Sequence, residues 1–281
     1  MMDVFNYECD GQMSIFDEKS LDNKNNATDN LTNERTNERT NERTIRKVHL
    51  FYEQSGTFKN QFKELGYEAY DYDILDDYGQ TDFQIDLFAE IEKGYSGENS
   101  IFDDISQDDL IMAFFPCVRF ENQIMLHFRG DYYGLKNHTM KQKMEYCMKI
   151  MSELKHNYDL VNKMFIICID RGLRLIMENP FSEEHFLRRY WCYKPALIDK
   201  DRRENGDYFA KPTQYWFVNF EPKKNVIFEP ITYNSVGKDA IKRIKKEQWE
   251  KMGAKSKTQA RSMIHPQYAN RFIRQYIIDT Q

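Results

Sequence analysis

The stretch Asp109-Leu-Ile-Met-Ala-Phe-Phe-Pro-Cys117 decides the fold of this 281-residue chain. Leu110 to Phe115 is continuously apolar and leaves no polar face, as expected of a strand covered by helices on both sides. Leu173–Pro180 (LRLIMENP) reads in the same way, apolar until its end. Upstream, Val48–Phe51 and Tyr67–Ile74 read as two strands with a helix between them. In that helix Ser55 is the N-cap, Phe58, Phe62 and Leu65 recur at spacings of four and three, and Gly66 is the stop. A second helix is expected over DFQIDLFAEIEKGY, before the strand at 109. A long one is expected from Lys141 to about Asp170, with Met144, Met148, Met151 and Leu154 turned toward the core. Strands that alternate with helices make an α/β, Rossmann-like, doubly wound parallel sheet with helices on both faces and right-handed connections. After Pro180 the pattern weakens to a short helix near Ser182–Tyr190 and a strand or hairpin in KPTQYWFVNFEP. A final helix spans His265 to Ile277, with Pro266 in its first turn.

Three regions follow. Residues 1–46 are polar and acidic and contain three copies of Asn-Glu-Arg-Thr from Asn33 to Thr44. A helix there would have no apolar face to bury, so a disordered linker is expected, with Met13–Leu21 as its one apolar cluster. Residues 47–220 form the main domain. Residues 221–281 form a small C-terminal α+β extension whose last helix returns to the core. Between Gly237 and Arg274 there are 11 Lys/Arg against 3 Asp/Glu, in a chain whose net charge is −5. That surplus favours a polyanion as partner, with Trp249, Arg261 and Tyr268 as further contacts. The five cysteines are odd in number and lack metal spacing, so neither a disulfide framework nor a metal site is expected. With no signal peptide and no long apolar run, a cytoplasmic protein away from membranes is expected. Cys147, Cys168 and Cys192 read as packed thiols, and His49 as a core histidine.

In open parallel sheets ligands bind at the carboxyl ends of the strands. Here those ends are polar: Gln54-Ser55-Gly56-Thr57 after the first strand, Asp73 at the end of the second, Pro116-Cys117 and Glu178-Asn179-Pro180 after the next two. The small-residue turn opens a helix, whose free N–H groups can meet a nucleotide-like or carboxylate-bearing ligand. Asp73 is suited to ribose hydroxyls. A thiol and a carboxylate fall at the ends of adjacent strands.

The strand–Ser-Gly-Thr-Phe–helix opening, Asp104-Ile, Phe-Pro-Cys117 and Glu178-Asn-Pro, in this order over about 48–278, resemble the DNA (cytosine-5) methyltransferases, above all the short phage-type members. The resemblance implies that Cys117 is the nucleophile and Glu178 the acid at N3 of the base. It also implies that Phe51, Ser55, Gly56, Thr57, Phe58, Asp73, Asp104 and Pro116 line an S-adenosylmethionine pocket. Duplex DNA would lie across the cleft. Addition of a thiolate to C6 makes the ring enamine-like, and a carboxyl at N3 stabilises the charge that develops. The target base must leave the stack, and 118–140 is expected to form the mobile loop that does this, with Arg119, Phe120, Arg129, Lys136 and His138. Asn179, Lys211 and Thr213 join Arg119 and Arg129 as expected nucleic-acid contacts.

The sequence departs from the family in four places. The turn Tyr52-Glu53-Gln54-Ser55-Gly56 keeps one glycine where two or three are usual. Val118 follows the cysteine in place of Gln, and Glu121 stands where a Ser is usual. The arginine motif is not recognisable, with Arg202-Arg203 and Lys211-Pro212-Thr213 as the nearest stretches. These departures leave two other readings open: a decayed methyltransferase fold that serves as a nucleic-acid-binding or interaction protein, and an enzyme acting on RNA or a free nucleotide.

Overall fold

The computed structural model describes residues 44–232 and 244–279. The expected linker and its repeats lie outside the described residues, apart from Thr44–Arg46, which run as coil into the first strand.

Seven strands form one mixed sheet: β1 (Lys47–Phe51), β2 (Glu68–Asp73), β3 (Phe83–Gln84), β4 (Leu110–Ala113), β5 (Arg174–Pro180), β6 (Leu197–Asp199) and β7 (Thr213–Val218), in the order β3-β2-β1-β4-β5-β7-β6. β3 to β5 are parallel, with Leu50 beside Asp71 and Met112, while β7 runs antiparallel to both β5 and β6. The expectation of a parallel sheet therefore holds for five strands. It fails at β7, which returns from β6 as a hairpin partner rather than through a helical crossover. The helices are α1 (Thr57–Glu64), α2 (Leu87–Ser96), α3 (Ile124–Phe128), α4 (Met140–Arg171), α5 (Phe186–Tyr190), α6 (Lys246–Lys251), α7 (Lys257–Ser262) and α8 (Pro266–Tyr276). Asp86 caps α2 through the N–H groups of Phe88 and Ala89, and Thr139 with Gln142 forms a capping box on α4. Gly172, left-handed at φ 66°, ends α4 and turns the chain into β5.

Alternate strand residues feed two apolar cores, as the period of two in a strand requires. Phe51, Ile111, Ala113, Leu175, Met177 and Trp216 meet α2 and the C-terminal half of α4. Val48, Leu50, Leu110, Met112, Ile176 and Tyr215 meet α1 and α8, through Phe58, Phe62, Tyr268 and Phe272. The last helix thus packs on the main sheet, and the described part of 221–281 is helical, without the strands expected of an α+β extension. A third cluster, Phe209, Ile244, Ala254 and Ala260 with Trp249 packed against it, supports α6 and α7.

Several packing expectations are corrected. Met140, Met144, Met148 and Met151 are more than half exposed, because only the C-terminal half of α4 lies on the sheet; before Leu160 its one buried residue is Ile150. Cys192 is exposed and Cys147 half-buried, whereas Cys168 is in the core. His49 is buried as expected, with Nδ1 bonded to the Tyr72 hydroxyl. Tyr268 is buried, and its hydroxyl is shared with Tyr215 at 2.8 Å and donated to Asp199, so it is no base contact. Among the described residues no helix is long and apolar enough to cross a membrane, and no cluster of His, Cys, Asp and Glu could hold a metal.

Candidate active site

The strand order reverses between β1 and β4, because β1 connects outward to β2 on one side while β4 and β5 continue on the other. A crevice at the carboxyl end of such a switch point is where open α/β sheets bind ligands. A cavity of about 760 Å³ opens there. Its lining includes Glu53, Gln54 and Ser55 from the β1 turn, Pro116 and Cys117 after β4, Glu178 and Pro180 of β5, Lys211, and Lys255 with Gln259 from the C-terminal region. A second cavity of about 420 Å³ shares Tyr52, Gln54, Phe114 and Pro116 with it and continues to Asp73, Ile74, Leu75, Asp86 and Phe88.

Cys117 and Glu178 thus face one space from neighbouring parallel strands. Asn179 fixes their spacing: fully buried, it donates from Nδ2 to the carbonyl of Phe115 at 2.8 Å and to that of Glu178 at 2.7 Å, tying the end of β4 to β5. Burial, reinforced by the negative charges of Glu121 and Glu178 and opposed by Lys211, pushes the Cys117 thiol up to about 12. The thiol donates to Glu121 Oε1 at 3.4 Å. Glu178 is 7% exposed, and its Oε1 has no hydrogen-bond partner. Arg202 lies 3.8 Å from that oxygen, fully buried, paired with Asp207 at 2.5 Å and stacked 4.4 Å over the Tyr268 ring. Burial opposes the charge of Arg202, but Asp207, Tyr268, Tyr215 and Glu178 outweigh it and hold the guanidinium above its ordinary value.

The β1 turn is unusual. Tyr52, Gln54 and Gly56 all have positive φ, at 62°, 52° and 66°. Glycine is the residue that adopts this backbone without cost, so two of the three positions carry side chains where glycines are the relaxed choice. The turn is held by Glu53, whose carboxyl accepts from the N–H groups of Phe58 and Lys59 at the start of α1. Burial, with Asp71 adding like charge, pushes the Glu53 carboxyl up to about 8. Lys59 is itself buried and pairs with Asp82 at 3.0 Å. The donors expected to meet a ligand are therefore occupied by the chain's own acid.

The other expected site residues divide cleanly. Ser55, Pro116, Cys117, Glu178 and Lys211 line the first cavity, and Asp73 and Pro116 the second. Burial raises the Asp73 carboxyl above its ordinary value, partly offset by the Leu75 N–H bonded to its Oδ1 at 2.8 Å. Phe51 and Phe58 are fully buried beneath the turn. Gly56 and Thr57 shape the turn: a Cβ on Gly56 would meet Gln80 Oε1 at 2.9 Å, and Thr57 Oγ1 bonds Ser55 Oγ at 3.1 Å. Asp104 is exposed and lines neither cavity, because the turn over Ile101–Asp103 ends well before β4; Asp86 occupies the wall instead. Arg119 is paired with Glu153 and Arg129 with Asp131, and neither lines a cavity. Thr213 is buried, accepting from Arg202 Nη1 and donating to the carbonyl of Lys211. Phe120, expected in a mobile loop, is fully buried and packs on Tyr158 and His185.

Sequence reasoning missed Glu53, Asp86 and Lys255, and treated Glu121 as a departure only. Glu53 follows β1 by two residues and Glu121 follows Cys117 by four, spacings that carry no signal until the turns are seen. No protein-family model matches the chain, and no curated protein matches it significantly.

Proposed function

We propose that the protein is an S-adenosylmethionine-dependent methyltransferase acting on cytosine C5 in DNA. The observation that carries this reading is the meeting of the Cys117 thiol and the buried Glu178 carboxyl in one cavity that continues into a second. The residues present fit the cofactor. Asp73 and Asp86 can take ribose and amine hydrogens, while Ile74, Leu75 and Phe88 offer an apolar seat for a base. Glu53 at the start of α1 fits a ligand without phosphates, since its carboxyl occupies the N–H groups that hold pyrophosphate in dinucleotide sites. S-adenosylmethionine supplies an electrophilic methyl group when bound. Cys117 then adds to C6 of the base, and the Glu178 carboxyl, backed by Arg202 at 3.8 Å from its Oε1, serves N3. Lys211 and Lys255 on the rim favour the phosphates that flank the base.

Nucleoside mass spectrometry of DNA and RNA from cells that express the wild type or Cys117→Ala tests this. New 5-methylcytosine in DNA, lost with the cysteine, is the expected result. Modification only in RNA would move the substrate class. None in either pool would turn the reading toward a binding protein on a decayed fold, which the high resting position of the Cys117 thiol would then explain.

A further inference from the structure

A thiol pushed up to about 12 is almost wholly protonated at neutral pH, and the thiol form is a poor nucleophile. If Cys117 attacks a ring, its proton needs a place to go. Four charged or titratable groups bear on that sulfur or on its partner. Glu178 lines the same cavity and is reserved for N3 in the reading above. Lys211 bears on the sulfur only through a charge that opposes the rise. Arg202 is locked behind Glu178 by Asp207. Glu121 is the remaining one, and it already accepts the S–H.

Local structure explains why Glu121 reaches the sulfur. The Phe120 N–H bonds the Cys117 carbonyl at 2.8 Å, which folds the chain back after Pro116, and the buried Phe120 ring pins that turn. The Ile124 N–H bonds the Glu121 carbonyl, so Glu121 is held between this turn and the start of α3. Its carboxylate is thereby placed 3.4 Å from Sγ.

We propose that Glu121 is the catalytic base that takes the Cys117 proton as the sulfur adds to the target ring, an assignment that rests on the methyltransferase reading above. In this step the S–H bond breaks and its proton passes to Glu121 Oε1. The sulfur electron pair forms the S–C6 bond, the C5=C6 π pair becomes a C4=C5 π bond, and the C4=N3 π pair moves onto N3, which takes its proton from the Glu178 carboxyl. Coupling both transfers in one step avoids a free thiolate beside the Glu121 carboxyl in a buried site. The same contact keeps the thiol protonated and unreactive until a base is in place.

Two measurements on the full chain test this. In the first, the rate at which iodoacetamide modifies Cys117 is followed by peptide mass spectrometry between pH 6 and 10. Glu121→Gln removes a negative charge beside the thiol, so alkylation at pH 8 should rise about tenfold, one unit of thiol titration. An unchanged pH profile would overturn the contact and the proposal with it. In the second, methyl transfer from labelled S-adenosylmethionine to mixed genomic DNA is timed. Glu121→Gln should slow it by roughly 100-fold or more. The residual rate should climb about tenfold per pH unit as hydroxide replaces the lost base, and Glu121→Asp should recover part of the loss. Transfer that quickens along with alkylation makes Glu121 a restraint only and overturns the base role. A wild type that transfers no methyl group overturns the methyltransferase reading itself, and the base role falls with it.

Discussion

At the scale of single residues, the chain carries buried polar groups that a stable fold tolerates only for a reason. His185 is 1% exposed, with neither ring nitrogen hydrogen-bonded within the chain, and burial lowers its imidazole to about 4. An unfolded histidine titrates near 6.5, so between the two values the unfolded chain binds more protons and stability falls as the pH falls. The contribution is fully present above about 6.5 and is lost progressively down to about 4, for roughly 3 kcal/mol in all. His185→Leu should therefore flatten the fall in unfolding free energy between pH 6.5 and 4, as measured by urea titrations. Parallel curves for the variant and the wild type would show that the imidazole is charged in the fold. The position matters beyond stability, since Phe186 N–H bonds the carbonyl of Phe120, and that residue pins the turn between Cys117 and Glu121.

At the scale of elements, what was legible in the sequence depended on whether a pattern had one physical cause. Short continuous apolar runs at Leu110–Ala113 and in Arg174–Pro180, too short for buried helices and each ended by a proline, read as doubly covered strands, and both stand where they were expected. The methionine stripe was misread, because a spacing of four and three fixes which residues share a face but not what that face meets. The C-terminal half of α4 packs on the sheet, while its N-terminal half and α3 are bound to each other, as by His127 Nδ1 and the Tyr146 hydroxyl at 2.7 Å. A test of this division is the pair Met148→Lys and Met164→Ala. The first should change the unfolding free energy by less than about 0.5 kcal/mol, as exposed sites do. The second empties a fully buried site and should cost roughly 2–5 kcal/mol. Equal losses would mean that the stripe is covered in solution. The β1 turn was illegible for another reason: left-handed backbone announces itself through glycine, and Tyr52 and Gln54 adopt it with side chains in place.

At the scale of the whole molecule, the β3-β2-β1-β4-β5 order sends the ends of β1, β4 and β5 to one crevice, so thiol, carboxyl and turn converge although they are far apart in sequence. The alternation of elements implied a parallel sheet but not its strand order, and the antiparallel β7 could not be foreseen, since a buried apolar strand looks the same in either direction. The turn that opens α1 lines this crevice through Glu53, Gln54 and Ser55. In dinucleotide sites the N–H groups of such a turn hold pyrophosphate, whereas here those of Phe58 and Lys59 are bonded to Glu53. On the function proposed above, the whole chain should be stabilised by S-adenosylmethionine or S-adenosylhomocysteine, by about 2.7 kcal/mol at a hundredfold excess over Kd, and not by NAD or ATP. Glu53→Ala loses a capping acceptor and should cost about 1 kcal/mol, but it frees two donors. Its melting temperature should rise with added pyrophosphate where that of the wild type does not. A wild type stabilised as strongly by NAD as by the phosphate-free nucleosides would show that Glu53 yields its place. The selectivity of the crevice would then have to come from Asp73 and Asp86 on the far wall rather than from the turn.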